Sequence, residues 1–472
     1  MVSSDAGAGP QALREFVPAD ITISARERAT LGRLADLPGR YGPIVLLPDL
    51  SFKPANPFAT GLAACFEGHI VPTAIGSSIN CGMAMVRTDA RAGDMSRTDW
   101  RRILEAIAAR GQQYAAEQPS LASEELLTAM TAPQQACAEL GYSEAELACL
   151  EPSGYALGSG LTPQQIYRAV PEFALRGTRL SMGILGGGNH FVEFQKVADI
   201  AQPRIAAALK LAEGSVTFTV HSSPPLGPLV SLMYGRRPEV AGLTAAKVAV
   251  RKALFHLRLP AGMSGLVKIV RGTRSLPAEE PIGRSYAVAY EAAAASGYVH
   301  RGMLVMAVKR VLDEQMGISC ELLADLSHNG IWREQLDGRE VYLHRHGACA
   351  FWPADRFPSP HPYAETGQPA FVGSSMSTPS ALFVPGPDAH LTYYSISHGT
   401  GRRNQVTTPP AESPNEYTRQ AGVEALWSGP GDIRQQLGYQ YRPIEQLAEV
   451  LEQAGVAKLV STLTPVASFK IP

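Results

Sequence analysis

ILGGGNHFVEFQ, residues 184–195, joins three consecutive glycines to an Asn-His pair and an apolar-rich run carrying a single glutamate. Alternation from Asn189 onward predicts a strand, because successive side chains of extended backbone face opposite ways. Asn189, Phe191 and Glu193 then share one face, and His190 lies on the other. Glycine has no Cβ, so the run before them lets another group come close to the backbone. A histidine between such a loop and a buried strand sits where binding groups are usually held by a rigid scaffold.

Working outward, SVTFTVHSS (215–223) repeats the pattern: Val216, Phe218 and Val220 alternate and leave His221 at the far end of a strand. Glycine-punctuated apolar runs from Gly42 to Arg87 (PIVLLPDL, GLAACFEGHIVP, GMAMVRTD) read as short strands joined by turns. Residues 98–180 are amphipathic at helical spacing and predict a helical insertion on a β-rich body. Residues 285–315 predict two long core helices, 335–407 returns to short strands and loops, and 440–457 predicts a helix before a closing strand, KLVSTLTPVASFKIP. Without an internal repeat or a low-complexity linker, the expectation is an α+β protein. It has a flexible tail over 1–25 and one large domain over 26–472, with a β-rich core and flanking helices.

Hydrophobic content of 45% and charged content of 18% in 472 residues describe a globular chain, and 44 glycines with 36 prolines imply many turns. The net charge of −1 gives no global attraction to polyanions, so a nucleic-acid partner needs a local basic patch. Six scattered cysteines without a CxxC pair suit a reducing compartment. The first residues lack a basic start and an apolar core, and no run of about 18 apolar residues occurs. The sequence therefore predicts a cytoplasmic protein with no membrane span.

Eleven histidines are ordinary for this length, but their settings recur. His190 follows GGGN, His221 ends a strand, His328 sits in DLSHNG, His344 and His346 in LHRHGA, and His398 in SISHGTGRR. A lone histidine at such a place is more often structural, satisfying loop carbonyls; several in one chain favour a site. Imidazole and thiolate together select borderline-soft divalent metals, so Cys81 in SSINCGM is a candidate ligand with His190, His221 and His328. Its plain alternative is a small buried hydrophobe. HGTGRR sets His398, a nucleophile or phosphate contact, beside flexible backbone at Gly399 and fixed cations at Arg402 and Arg403; the alternative there is a basic surface turn. No P-loop, kinase signature or GxSxG elbow is present.

Taken in order, PDL (48–50), SINCGM (78–83), LGGGNHFVEFQ (185–195), VH (220–221), SHN (327–329), HRHGA (344–348), HGTGR (398–402) and FK (469–470) resemble the signature series of the RtcB family. These are GTP-dependent RNA ligases that join a 3′-phosphate or 2′,3′-cyclic phosphate end to a 5′-hydroxyl end. The resemblance runs from about residue 40 to the end of the chain. It implies the α+β fold peculiar to that family and a two-manganese site bridged by Cys81, with His221 and His328 completing one metal and His190 belonging to the other. It also implies that His398 attacks GTP and carries GMP as a phosphoramidate. Around the nucleotide it implies Asn189, Phe191 packing on the base, Glu193 accepting from the guanine edge, Ser375 near a guanine-contacting position, Gly399 and Arg402 in the histidine loop, and Lys470.

The chain departs from the family at several of these motifs. The family histidine after PDL is Ser51, and the aspartate three residues before the cysteine, a ligand of the second metal, is Ser78, a much poorer partner for a hard cation. After His221 an arginine-bearing stretch is replaced by SSPPLG, whose Pro224 and Pro225 lack N–H donors. The lysine of HRKGA is His346, and an arginine expected after Arg402 is Val406. Each lost cation weakens phosphate contact. Three readings stay open: a ligase acting on RNA ends, an enzyme passing the nucleotide to a small-molecule acceptor, and a non-catalytic paralogue that binds nucleotide or RNA.

Overall fold

The computed structural model describes residues 12–52, 56–116, 123–151, 160–235, 242–260, 262–270, 275–403 and 412–471. Its centre is an eight-stranded sheet. Seven strands run in the antiparallel order Ala370–Val372, Ser380–Pro385, Ala457–Lys470, Phe191–Ile200, Ser215–Ser222, Gly82–Arg91 and Cys320–Ser327. Glu424–Trp427 adds in parallel to Ala457–Lys470. A five-stranded sheet holds Leu13–Glu15, Arg40–Ser51, Thr60–Phe66, Arg339–His346 and Asn329–Leu336. The chain thus changes sheets between Ser327 and Asn329, and His328 is the one residue between them.

The period-2 pattern read in 215–222 is realised. Val216, Phe218 and Val220 are buried in an apolar cluster with Val192, Phe194 and Trp100. The opposite face is equally buried but polar: Thr217 donates to Gln195 Oε1 at 3.3 Å, and Gln195 donates to Glu193 Oε1 at 3.1 Å. Buried polar groups need such partners, and this column runs along the sheet beside Phe191 and Lys470, which pair across it.

Among the described residues, 98–180 carry six helices, from Arg97–Ala116 to Glu172–Arg179, joined by short non-helical stretches. The closing helix and strand are Ile444–Gln453 and Ala457–Lys470. Within the stretch read as a tail, Leu13–Glu15 pairs in parallel with Ile44–Leu46, and residues 1–11 lie outside the described residues.

One expectation is corrected. The two helices expected over 285–315 are a single helix, Pro281–Met316, of 36 residues. Its internal glycines serve close packing instead of breaking it: a Cβ at Gly297 would lie 2.7 Å from Asn80 Nδ2, and one at Gly302 3.4 Å from Cys137 Sγ. This helix lies against strands Gly82–Arg91 and Ser215–Ser222. Among the described residues, no helix is long and apolar enough to cross a membrane.

Candidate active site

Four strand ends from both sheets converge on one point. Cys81 precedes strand Gly82–Arg91 in a turn closed by its own N–H to Ser78 O at 2.9 Å, and its carbonyl accepts the His328 N–H at 2.9 Å. Asn80, at φ 50°, is the strained member of that turn. It is held from the long helix: Arg301 donates Nη1 to Asn80 O at 2.7 Å and Nη2 to Asn80 Oδ1 at 3.0 Å, and its Nε to Asp325 Oδ1 at 2.6 Å. The Arg301–Asp325 pair is fully buried, a geometry that breaks badly if one partner is lost.

Cys81, His221 and His328 are buried, and their donor atoms all lie within 4.8 Å of one another. His221 Nδ1 is 3.1 Å from the Asn189 carbonyl, which only accepts, so that nitrogen carries the proton and Nε2 presents its lone pair 3.3 Å from Cys81 Sγ. Such a backbone carbonyl behind an imidazole fixes its tautomer as metal sites require. Burial, reinforced by neighbouring imidazoles, holds His221 and His328 well below the ordinary histidine range, so both are neutral donors. His328 Nδ1 is buried with no hydrogen-bond partner. One thiol and two neutral imidazoles on a shared centre fit a divalent transition metal.

His190 lies at the edge of this cluster, its Nε2 3.6 Å from Cys81 Sγ and its ring centroid 5.3 Å from that of His221. Burial, with Lys470 adding to it, lowers its pKa to about 4. The glycine run now has a reason. A Cβ at Gly186 would lie 2.6 Å from His190 Nδ1, and Gly188 has φ +76°, so the ring tucks against backbone that no larger residue allows. Strand pairing begins at Phe191, placing Asn189 and His190 in the preceding turn.

His398 follows strand Ser395–Ser397. Its Nδ1 is 2.8 Å from both Asp49 Oδ2 and Gly347 O. Two acceptors on one nitrogen put the proton there, leaving Nε2 as a free nucleophile. Its ring lies 4.5 Å from that of His328, so the free imidazole and the donor cluster are neighbours.

Of these groups His221 and His398 open into a cavity of about 630 Å³, lined also by Asn189, Phe191, Gly399, Arg402 and Lys470, while Cys81, His190 and His328 stand behind its wall. Arg402 reaches Asn189 Oδ1 at 3.4 Å and the Tyr441 hydroxyl at 3.3 Å; Lys470 Nζ sits 5.0 Å from the Phe191 ring centroid. Glu193 is buried and does not line the cavity; its alternation with Phe191 holds, but it stands one residue pair deeper along the strand. Burial raises its carboxyl to about 7 and lowers the Lys470 ammonium to about 8, each opposed by the other's charge. Ser375 is likewise off the wall, turned toward Thr378 Oγ1 at 2.8 Å, and Ser374 lines the cavity instead.

Sequence reasoning missed Asp49, Gln436 and Tyr441. Asp49 lay in the quoted PDL motif without a role. Gln436, which accepts from Tyr441 OH at 3.1 Å and donates to Asn189 Oδ1 at 3.3 Å, carried no sequence signal. Of the other histidines, His344 is structural: Nδ1 donates to Tyr342 O at 2.9 Å and Nε2 accepts from Val71 N–H at 2.9 Å. Ser51 lines the cavity, Pro224 and Pro225 lead directly into helix Leu226–Tyr234, and Val406 lies outside the described residues.

An imidazole held by a buried carboxylate thus lies next to a metal-type donor set, with Arg402 and Lys470 on the same cavity wall. Comparison with known proteins narrows the class: the chain belongs to the RtcB family, matching "tRNA-splicing ligase RtcB" over residues 30–471, and so to a family of ligases. It is 27% identical over 459 residues to an RNA-splicing ligase RtcB of Mycobacterium tuberculosis, covering 93% of this chain and 99% of that one. It is 28% identical over 465 residues to a tRNA-splicing ligase RtcB of Archaeoglobus fulgidus, and 26% over 464 to that of Thermococcus kodakarensis. Each of these covers 93% of this chain and 89% of the relative.

Proposed function

We propose that this protein is a GTP-dependent ligase that joins RNA 3′-phosphate, or 2′,3′-cyclic phosphate, ends to 5′-hydroxyl ends through a His398–GMP intermediate. The observation that carries the reading is His398, its Nδ1 proton fixed by Asp49 and Gly347, with Nε2 free beside the cluster of Cys81, His221 and His328. Nε2 attacks the α-phosphorus of GTP, the bond to pyrophosphate breaks, and a phosphoramidate to GMP forms. GMP then passes to the RNA 3′-phosphate, which a 2′,3′-cyclic end supplies once water has broken its bond to the 2′-oxygen, and frees His398. The 5′-hydroxyl attacks that activated phosphate, loses its proton to solvent and expels GMP. Cys81, His221 and His328, with His190 beside them, would hold a divalent ion that would supply positive charge near phosphate oxygens; manganese is the ion the resemblance implies. Phe191, Asn189, Arg402 and Lys470 orient the nucleotide, and Glu193 and Ser375 act behind them.

A second reading, transfer of GMP to a small-molecule acceptor, is favoured by one feature. The segment after His221 turns at Pro224–Pro225 into helix Leu226–Tyr234 and offers no cation to an RNA phosphate. Incubation with α-labelled GTP and manganese, wild type against His398→Ala, tests the shared step on a denaturing gel. Label retained by His398→Ala, or absent from the wild type, defeats both readings. RNA carrying 3′-phosphate and 5′-hydroxyl ends then separates them, because GMP-loaded protein that never joins RNA leaves only the second.

A further inference from the structure

Away from this site a larger hollow, about 1030 Å³, opens between helices Ser123–Thr131, Pro163–Ala169, Glu172–Arg179 and Gly242–Arg258. Its walls are tied together. The Arg251 guanidinium lies 5.8 Å from the Phe173 ring, Phe255 packs edge-on against Tyr234 at 5.7 Å, and the Tyr234 hydroxyl donates to Ala169 O at 2.8 Å. Four arginines, Arg168, Arg176, Arg179 and Arg258, line it against one carboxylate, Glu172; Glu124 and Glu125 of the first wall do not. Among the described residues, no ion pair engages Arg168, Arg176 or Arg258. Tyr167, 55% exposed, and the half-buried Phe255 line the same hollow.

Unpaired guanidiniums on a concave surface repel one another unless an anion joins them, and aromatic faces among them suit stacked bases. We propose that this groove holds a single-stranded segment of RNA, its phosphates on the arginines and its bases against Tyr167 and Phe255. One observation favours RNA over an acidic peptide: two aromatic side chains, Tyr167 and Phe255, line the hollow together with the arginines. The choice of RNA rests on the ligase reading; the presence of an anion-binding groove does not.

The test is fluorescence anisotropy of a labelled single-stranded oligoribonucleotide against the full chain over a range of salt. Arg168→Ala, Arg176→Ala and Arg258→Ala combined should weaken binding at least about tenfold and lower the slope of log affinity against log salt by about 2, at ~0.7 per phosphate on single strands. The matching triple Lys substitution should keep the slope, and thermal melting confirms that each variant folds. GMP labelling at His398 should be unchanged in both. Equal slopes for wild type and the Ala triple overturn the proposal, as does arginine-dependent capture of a polyglutamate peptide but not RNA. Absence of GMP labelling in the wild type, with an arginine-dependent slope intact, overturns the ligase reading and leaves the groove standing.

Discussion

Asp49 Oδ2 and His398 Nδ1 lie 2.8 Å apart although 349 positions separate them in the chain. Asp49 is fully buried at the end of a strand in the five-stranded sheet, while His398 is partly open to the cavity. A buried carboxylate behind an imidazole fixes the tautomer and stabilises the cation that forms when the other nitrogen bonds to phosphorus. Gly347, the bend between strands Arg339–His346 and Ala348–Ala350, closes the arrangement: at φ +66°, a Cβ there would fall 2.2 Å from Thr60 Oγ1 and 3.2 Å from His398 Cε1.

Asp49→Asn keeps the shape and one acceptor but removes the charge. A hydrogen bond to a charged group is worth about 1.5–3 kcal/mol, so the rate of GMP attachment to His398 should fall roughly 10- to 150-fold. Single-turnover labelling with α-labelled GTP measures it. A rate equal to wild type would mean that Gly347 alone orients the ring.

Cys81→Ala removes the sulfur shared by His221 Nε2 at 3.3 Å and His190 Nε2 at 3.6 Å. Losing even an outer partner of a metal site costs about 10- to 100-fold in affinity, so this variant should retain no metal after dialysis. Elemental analysis reads both the amount and the identity of the ion. Undiminished metal would show that Cys81 only fills space. Zinc in place of manganese would follow from a donor set of sulfur and nitrogen, since Ser78 stands where a carboxylate would favour the harder ion.

Lys470 gives the proposed nucleotide site a pH dependence. Burial lowers its ammonium to about 8, opposed by the Glu193 carboxylate, so above that pH it loses the charge that would attract phosphate. GTP affinity should therefore fall as pH rises through about 8. Titration calorimetry across pH checks this, and Lys470→Arg, which stays charged, should flatten the basic limb. A basic limb that survives in Lys470→Arg would assign it to another group.

The sequence was most readable where one element answers to one period. Val216, Phe218 and Val220 gave a strand with His221 at its end, and the glycine run gave a close approach that His190 fills. The donor cluster was legible as residue types, but its closeness depends on the chain crossing between two sheets at His328, which no local pattern encodes. Asp49 illustrates the same limit: its signal was a motif, and its partner lies in another sheet system. Glu193 and Ser375 end behind the cavity wall, since alternation and proximity in sequence name a face or a loop but not the depth at which a side chain ends.

Gly297 offers a test in which local and tertiary terms have opposite signs. In an isolated helix, Gly→Ala gains about 1 kcal/mol. Here the added Cβ would lie 2.7 Å from Asn80 Nδ2 and 2.8 Å from its Cγ. Asn80 cannot turn away freely, because Arg301 grips both its carbonyl and its side chain and Ala294 O accepts its amide. Overpacking of a filled core costs about 1–3 kcal/mol, so Gly297→Ala should be destabilised by up to ~2 kcal/mol after the helical gain. Displacing Asn80 also moves Cys81, its neighbour, so metal retention should fall alongside the melting temperature. A Gly297→Ala protein that melts higher and keeps its metal would show that the turn carrying Cys81 yields without cost, and that Arg301 does not position it.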